Sequence, residues 1–187
     1  MKSSILTRKC VQPSFKWSAF FQVLSLFVVL NLISYQLKAQ SSHLKDYVIL
    51  AGDSTCVSQP DCGVSLGATN QVLSGTIGSY NQFSSLYNFE HFGNIYALHD
   101  IDFHTGCHIA EDIYGSNSNS GSNPFIASYG FELGGSLFMN GSVGIAGGAI
   151  EGKVTLPPSS IYQGPSPLGG FNYSTPVFNP LPAFPSI

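Results

Sequence analysis

Charged residues, and basic ones above all, are scarce in this sequence. Only 9% of the 187 residues are charged, and five of the seven Lys and Arg residues lie within the first forty positions. The rest of the chain keeps Lys45 and Lys153 against all ten acidic residues, a formal charge of −8. A chain this acidic offers no phosphate-binding surface, so we predict no nucleic-acid partner and expect no affinity for anionic membranes.

Enzyme motifs and helical periodicity are also missing. The sequence contains no serine-nucleophile motif, P-loop, dinucleotide fingerprint or HExxH. After residue 40, Gly, Ser and Asn interrupt the chain too often for helices of useful length. A polysaccharide lyase or hydrolase would need converging carboxylates or a basic residue near a cleft. We therefore predict a non-enzymatic protein without a cofactor.

The long apolar run at the N-terminus has the layout of a targeting segment. WSAFFQVLSLFVVLNLISY (residues 17–35) follows a basic start and precedes LKAQ, in which Ala39 is a small residue before the expected cleavage point. This layout predicts a signal peptide over 1–39 and a secreted or cell-surface protein. A retained signal anchor is the alternative, since about 19 residues can just span a bilayer, but four polar residues within the run weaken it.

Cysteine usage fits export. Cys56 and Cys62, in CVSQPDC, are close enough to close a small loop in an oxidising compartment, so we predict a disulfide between them. A metal site at this pair is less favoured, because no second Cys or His pair stands at ligand spacing. Cys10 leaves with the signal peptide, and Cys107 is expected to be buried and unpaired.

From Ile77 onwards the chain repeats every six residues. FELGGSLFMNGSVGIAGG (residues 131–148) contains three such units, each with apolar residues at its first and third places and Gly, Ser or Asn near its end. The first places of successive units are apolar with one exception, Asn119. They are Ile77, Phe83, Phe89, Ile95, Ile101, Cys107, Ile113, Asn119, Phe125, Phe131, Leu137, Val143 and Ala149.

A six-residue period predicts an all-β fold, a parallel β-helix (solenoid) of about four coils. Positions i and i+2 of a strand share a face, and three strands with three corners make a coil of about 18 residues, stacked about 4.8 Å below the next. Three interior ladders follow: Ile77, Ile95, Ile113, Phe131, Ala149; Phe83, Ile101, Asn119, Leu137; and Phe89, Cys107, Phe125, Val143. Asn119 would stack inside or mark a looped-out corner. Left- and right-handed solenoids both remain open, and an antiparallel sandwich is less favoured because its strands recur less regularly.

Two further segments flank the predicted β-helix, which covers residues 77–156. Residues 40–76 form an N-terminal cap with a strand candidate and the cysteine loop. Residues 157–187 hold most of the segment's eight of the chain's eleven prolines found after Glu151. Because proline removes ladder donors and favours extended backbone, we predict a strap packed along the solenoid that grades into a linker.

Potential metal ligands concentrate in ALHDIDFHTGCHIAED, residues 97–112. Candidate pairs are Asp102 with His108 and His99 with His104. Outward side chains six residues apart lie on different faces of a triangular coil, so few of these groups converge. A solvated polar exterior is therefore favoured, and we predict no metal.

Three aromatic residues fall at the outward phase of the repeat, Tyr96, Tyr114 and Phe138. An exposed aromatic stripe can bind glycans or a protein partner. Cover by the proline-rich strap is the favoured alternative explanation.

Three stretches resemble a known class of surface protein. They are DYVILAG (46–52), GGAIEGKVTLPPSSIYQGPSPLGG (147–170) and STPVFNPLPAFP (174–185). With the repeat core, they resemble the N-terminal solenoid region of large secreted surface proteins of gliding bacteria, of the gliding-motility-associated or type IX secretion cargo type. The core is also similar in style to bactofilin-type polymer-forming β-helices, and DYVILAG to the start of ice-binding β-solenoids. The resemblance implies an exported, cell-surface, non-enzymatic module with no catalytic residues.

These observations predict a secreted structural or adhesion module built on a rigid solenoid, with a cell-surface protein or glycan as partner. Membrane contact is expected only through an uncleaved signal segment. One alternative is a carbohydrate- or ice-binding solenoid, although the outward series is too irregular for ice. The second alternative is end-to-end self-association, since open coils expose unpaired strand edges.

Overall fold

The computed structural model describes residues 46–52, 63–116, 125–178 and 181, all within one compact unit, Ser41–Ile187. These residues form eighteen strands of two to five residues and no α-helix. None of them belongs to a helix able to span a membrane. The predicted signal peptide and the predicted Cys56–Cys62 disulfide lie outside the described residues.

The strands form three parallel sheets, and successive strands of a sheet come from successive coils. Sheet A contains β1 (Tyr47–Ala51), β4 (Thr76–Ser79), β7 (Ile95–Ala97), β10 (Ile113–Gly115), β13 (Leu137–Met139), β16 (Val154–Leu156) and β18 (Phe171–Tyr173). Sheet B contains β2 (Val64–Leu66), β5 (Phe83–Ser85), β8 (Ile101–Phe103), β11 (Phe125–Ala127), β14 (Val143–Ile145) and β17 (Tyr162–Gln163). Sheet C contains β3 (Gln71–Val72), β6 (Glu90–His91), β9 (His108–Ile109), β12 (Phe131–Leu133) and β15 (Gly148–Ile150).

The fold is a parallel β-solenoid, as the six-residue period predicts, but it is longer than four coils. Sheet A holds seven strands, so the chain makes about six turns. We number the coils by their sheet A strand, from the first coil at β1 to the sixth at β16. The additional coils come from β1 to β3, before the predicted β-helix, and from β17 and β18, after it. Their strands were harder to read from sequence because their spacing departs from six.

The first places of the repeat form the core. Eleven of the thirteen are buried, which confirms the predicted inward phase: Ile77, Phe83, Phe89, Ile95, Ile101, Cys107, Ile113, Phe125, Phe131, Leu137 and Val143. Five Phe rings fill the interior with centroids 5.1–5.9 Å apart. Such tilted and edge-to-face contacts stabilise a core beyond the area that they bury.

The predicted ladders are wrong above the fourth coil's first strand, because that coil is longer than 18 residues. Ile113 pairs with Leu137, 24 residues later, and not with Phe131. Phe125 pairs with Ile101 in sheet B, the place predicted for Asn119, which itself lies outside the described residues. Six additional residues between β10 and β11 keep the inward and outward alternation and move every later strand to the next sheet.

Those six residues also overturn the third predicted ladder. Phe125 and Val143 lie in sheet B and not above Cys107. The strand that follows β9 in sheet C is β12, with Glu132 opposite His108. The inward residue above Cys107 is therefore Phe131, one place before Glu132.

Ala149 is a further correction, since it is exposed and not interior. The fifth coil is one residue short in sheet C, so Phe131 pairs with Gly148 and Glu132 with Ala149. Gly148 has φ = 147°, and a Cβ there would collide with the carbonyl oxygen of Phe131. Glycine permits this tight corner, and the corner turns Ala149 outward.

Part of the predicted proline-rich strap is solenoid. Tyr162 pairs with Val143 and Phe171 with Val154, so β17 and β18 continue sheets B and A. Between them, the Leu168 N–H donates to the Ile150 carbonyl at 2.9 Å. This bond places the buried Pro167 in the inward position of sheet C, one strand beyond Ile150.

Candidate functional site

The outer faces of the three sheets differ in charge. The outward row of sheet A has no charged residue and reads Gly78, Tyr96, Tyr114, Phe138, Thr155 and Asn172. The outward row of sheet C reads Gln71, Glu90, His108, Glu132 and Ala149. Sheet B presents Asp102 in its row, beside Ser84 and Ile126. Sheet A is thus an uncharged face on an acidic rod.

Four aromatic side chains line this uncharged face, and we call Tyr47, Tyr96, Tyr114 and Phe138 the aromatic ladder. The rings of Tyr96 and Tyr114 are parallel within 4°, with centroids 4.3 Å apart. Phe138 continues the stack 4.9 Å beyond Tyr114, also at 4°. Because in-register parallel strands place equivalent residues directly above one another, the structure brings together the three aromatic residues singled out in the sequence.

Tyr47 is the member of the ladder that sequence reasoning missed. Its ring meets Tyr96 edge-on, with centroids 6.4 Å apart at 61°. It lies over Gly78, where a Cβ would be only 2.7 Å from the Tyr47 ring. The signal was a glycine in the outward phase next to Tyr96, but the pairing of β1 with β4 across 28 residues from Ile49 to Ile77 follows no repeat.

A polar corner orients the ladder from below. The Tyr114 hydroxyl donates to Asp112 Oδ2 at 3.0 Å, and Asp112 Oδ1 accepts the Ser136 N–H at 2.7 Å. The Asp112 N–H in turn donates to Asn94 Oδ1 at 3.1 Å. Asp112 therefore joins three consecutive coils at the corner before sheet A and holds the Tyr114 ring in register.

The tyrosine hydroxyls of the ladder remain neutral in water. Burial raises the pKa of Tyr96 above its ordinary value of 10.0. Burial, together with the neighbouring Tyr96 and Asp112, raises the pKa of Tyr114 further. The ladder therefore offers hydroxyl donors and acceptors and no charge at physiological pH.

Stacking determines which part of each ring a ligand could reach. Tyr96, Tyr114 and Phe138 are half-buried, and their faces contact one another. Ring edges and hydroxyls are what remains open to solvent. A sugar that stacks on an aromatic platform needs an open ring face, which the middle of this ladder does not present.

The four predicted metal-ligand candidates lie on separate parts of the solenoid. Asp102 is on the outer face of sheet B and His108 on that of sheet C. His99 is buried at the corner between sheets A and B, whereas His104 lies at the next corner, its ring 5.2 Å from that of Tyr87. Among the described residues, no three His, Cys, Asp or Glu side chains are placed to hold a metal ion.

Two titratable side chains lie inside the solenoid. Cys107 is buried and unpaired, as predicted, and its thiol donates to the His104 carbonyl at 3.1 Å. His91 is also buried, with Nδ1 3.3 Å from the Val72 carbonyl oxygen and Nε2 3.1 Å from that of Asn94. Burial lowers the pKa of His91, against the two carbonyls and Glu111, which raise it.

Comparison with protein-family models, curated proteins and solved structures found no match to this chain. Its function is therefore inferred from the geometry and chemistry of the solenoid.

Proposed function

We propose that this chain is a secreted, non-enzymatic structural or adhesion module of the cell surface, a rigid rod that presents the aromatic ladder to a protein partner. The observation that carries the proposal is an uncharged row of stacked aromatic rings along one face. Aromatic residues, tyrosine among them, are enriched at protein interfaces because each combines a large apolar surface with a hydrogen-bonding tip.

The architecture supports a rod-like role. Six coils at about 4.8 Å per coil extend the solenoid by roughly 29 Å. Each coil is hydrogen-bonded to the next through three sheets, and the Phe-rich core is continuous along the axis. Such stacking resists bending because every coil shares its hydrogen bonds with both neighbours.

Charge narrows the chemistry of the partner. The described residues include eight carboxylates and one lysine, Lys153. Carboxylates flank the ladder on the other faces, so they repel anionic surfaces and favour a neutral or basic protein. The partner we infer is therefore a protein surface with apolar groups for the ring edges and polar groups for the hydroxyls.

The glycan and ice alternatives receive less support. The ring faces that would stack on a sugar contact one another in the ladder. Ice binding needs a regular array of small residues, whereas each outward row mixes large, small and polar side chains.

Open-ended polymer formation also receives less support. Phe171 and Tyr173 take the inward positions of the last strand yet are 39% and 57% exposed, which favours contact at this end. However, Pro167 lacks an N–H for a further strand of sheet C. A polymer continued through all three sheets would lose hydrogen bonds there.

The test is surface adhesion by the full chain. A Gram-negative host would display it, and cells lacking it would serve as the adhesion target. We expect display to confer adhesion, with N-terminal sequencing placing the start of the exported chain near Gln40. Replacing Tyr96, Tyr114 and Phe138 by Ser should abolish adhesion while the far-UV circular dichroism stays β-rich.

The matched control is Ile126→Ser, an exposed outward residue of sheet B. It should leave adhesion unchanged. Retention of the uncleaved chain in the cytoplasm would contradict export, and adhesion that survives the triple change would contradict the role of the ladder. Binding of the purified chain to insoluble chitin or cellulose would favour the glycan alternative.

A further inference from the structure

Tyr80 and Leu181 form a contact between residues that are 101 positions apart. The Tyr80 hydroxyl donates to the Leu181 carbonyl oxygen at 3.0 Å, and both residues are only 7% exposed. Tyr80 follows β4, the second strand of sheet A, whereas Leu181 comes eight residues after β18, the last one. The contact therefore joins the C-terminal part of the chain to the second coil.

Burial at the neighbouring corner shows that a segment lies over it. Asn81 and His99 occupy the corner between sheets A and B in the second and third coils, and each is 7% exposed. The corresponding corner in the fifth coil, at Asn140 to Ser142, is only half-buried. Polar corner residues of a solenoid face outward, so burial of this pair requires cover, and Leu181 is adjacent.

The length of the intervening chain fits a path along the axis. Five strand spacings separate β18 from β4, about 24 Å at roughly 4.8 Å each. Ser174 holds the position after β18 that Tyr80 holds after β4, and seven residues from Ser174 reach about 23–25 Å when fully extended. The chain has just enough length, and Pro176 favours an extended backbone on this path.

We propose that the corner groove formed by Tyr80, Asn81 and His99 is a docking surface for the chain's own C-terminal segment, which runs back along the solenoid as a strap. The occupant is uncharged and proline-rich, STPVFNPLPAFPSI from residue 174 onwards. It pairs apolar burial at Leu181 with one hydrogen bond from Tyr80. This inference does not rest on the proposed adhesion function.

The strap gives the solenoid a long-range connection that stacked coils lack. In a repeat fold each coil contacts only its neighbours, so end coils can open independently. A segment that fastens the sixth coil to the second couples opening at one end to opening at the other. Loss of the strap should therefore be felt far from Leu181 in sequence.

Hydrogen exchange on the full chain tests the proposal. The reporters are the amides of Tyr80, which donates to Ala51, and His99, which donates to Asn81. In Leu181→Ala we expect their exchange to rise by about tenfold, because the buried side chain that covers the corner is lost. Tyr80→Phe, which keeps the ring and loses one donor, should give a rise of roughly twofold to fivefold.

Two matched controls are Leu168→Ala and Tyr129→Phe, both at exposed side chains. Neither should change exchange at the reporter amides. Unchanged exchange in both Leu181→Ala and Tyr80→Phe would overturn the proposal. So would reporter exchange in the wild type that slows as protein concentration rises, together with a dimer in light scattering, because the strap would then come from a second copy.

Discussion

At the scale of single residues, the interior accepts polar side chains where the backbone supplies partners. Ser79 Oγ donates to the Gln82 carbonyl at 2.8 Å and accepts the Asn81 N–H at 3.2 Å. Among the described residues, no buried side-chain nitrogen or oxygen lacks a hydrogen-bond partner. Polar residues in the inward phase are thus tolerated near corners, where carbonyls and N–H groups outside the sheets can reach them.

His91 makes the stability of the solenoid depend on pH. Burial lowers its folded-state pKa below the ordinary value of 6.5, so the folded protein favours the neutral ring. The stabilisation is complete above about pH 6.5 and is lost as the pH falls from there toward the lowered pKa. We expect the thermal unfolding midpoint to drop between pH 7.5 and pH 5.

His91→Leu should flatten this part of the pH dependence. The two carbonyls near the ring keep backbone donors, since Val72 accepts the Phe92 N–H and Asn94 the Ile77 N–H. Circular dichroism melts from pH 8 to pH 5 measure the effect, with His108→Gln on the outer face as the control. Equal pH slopes in the wild type and His91→Leu would show that another group is responsible.

At the scale of elements, the aromatic ladder stabilises sheet A as well as presenting a surface. Its central ring, Tyr114, stacks on Tyr96 and on Phe138 and is tied to Asp112. Each aromatic pair contributes about 0.5–1.5 kcal/mol beyond its buried area. The ladder therefore links the third, fourth and fifth coils on the outside, as the Phe cluster does on the inside.

Tyr114→Ala should lower the free energy of unfolding by roughly 1–3 kcal/mol, because it removes two stacked contacts. Urea unfolding followed by circular dichroism measures the change. Tyr129→Ala, at an exposed ring, is the matched control and should change stability by less than about 0.5 kcal/mol. Equal losses in the two variants would mean that stacking on sheet A contributes no special stability.

At the scale of the whole molecule, the C-terminal end combines attraction with protection. The last strand of sheet A exposes Phe171 and Tyr173, which stack on each other with centroids 5.8 Å apart. Sheet C ends at β15, and Pro167 stands where its next strand would begin to accept a neighbour. Proline at a sheet edge is a known protection against edge-to-edge association.

Pro167→Val should therefore promote self-association of the full chain. Valine restores an N–H to the edge of sheet C and fits a buried strand position. Light scattering over a concentration series is the measurement, with Pro158→Val at an exposed corner as the control. The wild type and the control should keep a constant size while Pro167→Val grows, and filament formation by the wild type would contradict this protective role.

The in–out pattern of the repeat could be predicted from sequence, whereas the stacking partners could not. An apolar residue at every sixth position needs no tertiary information, because strand alternation alone decides which side of the chain it faces. The six additional residues before Phe125 left that alternation intact, so they were invisible to the periodicity. They nevertheless moved Phe125 and Val143 to a different sheet from the one predicted.

The sequence by itself determined that this chain forms a solenoid with Ile77 to Val143 inside and Tyr96, Tyr114 and Phe138 outside, since these properties depend on local spacing. Only the tertiary structure decided which coil lies on which, that Tyr47 completes the aromatic ladder, and that Leu181 meets Tyr80. Each of these depends on contacts across 28 or more residues, where loops of irregular length intervene. Local periodicity carries no information about how such loops close.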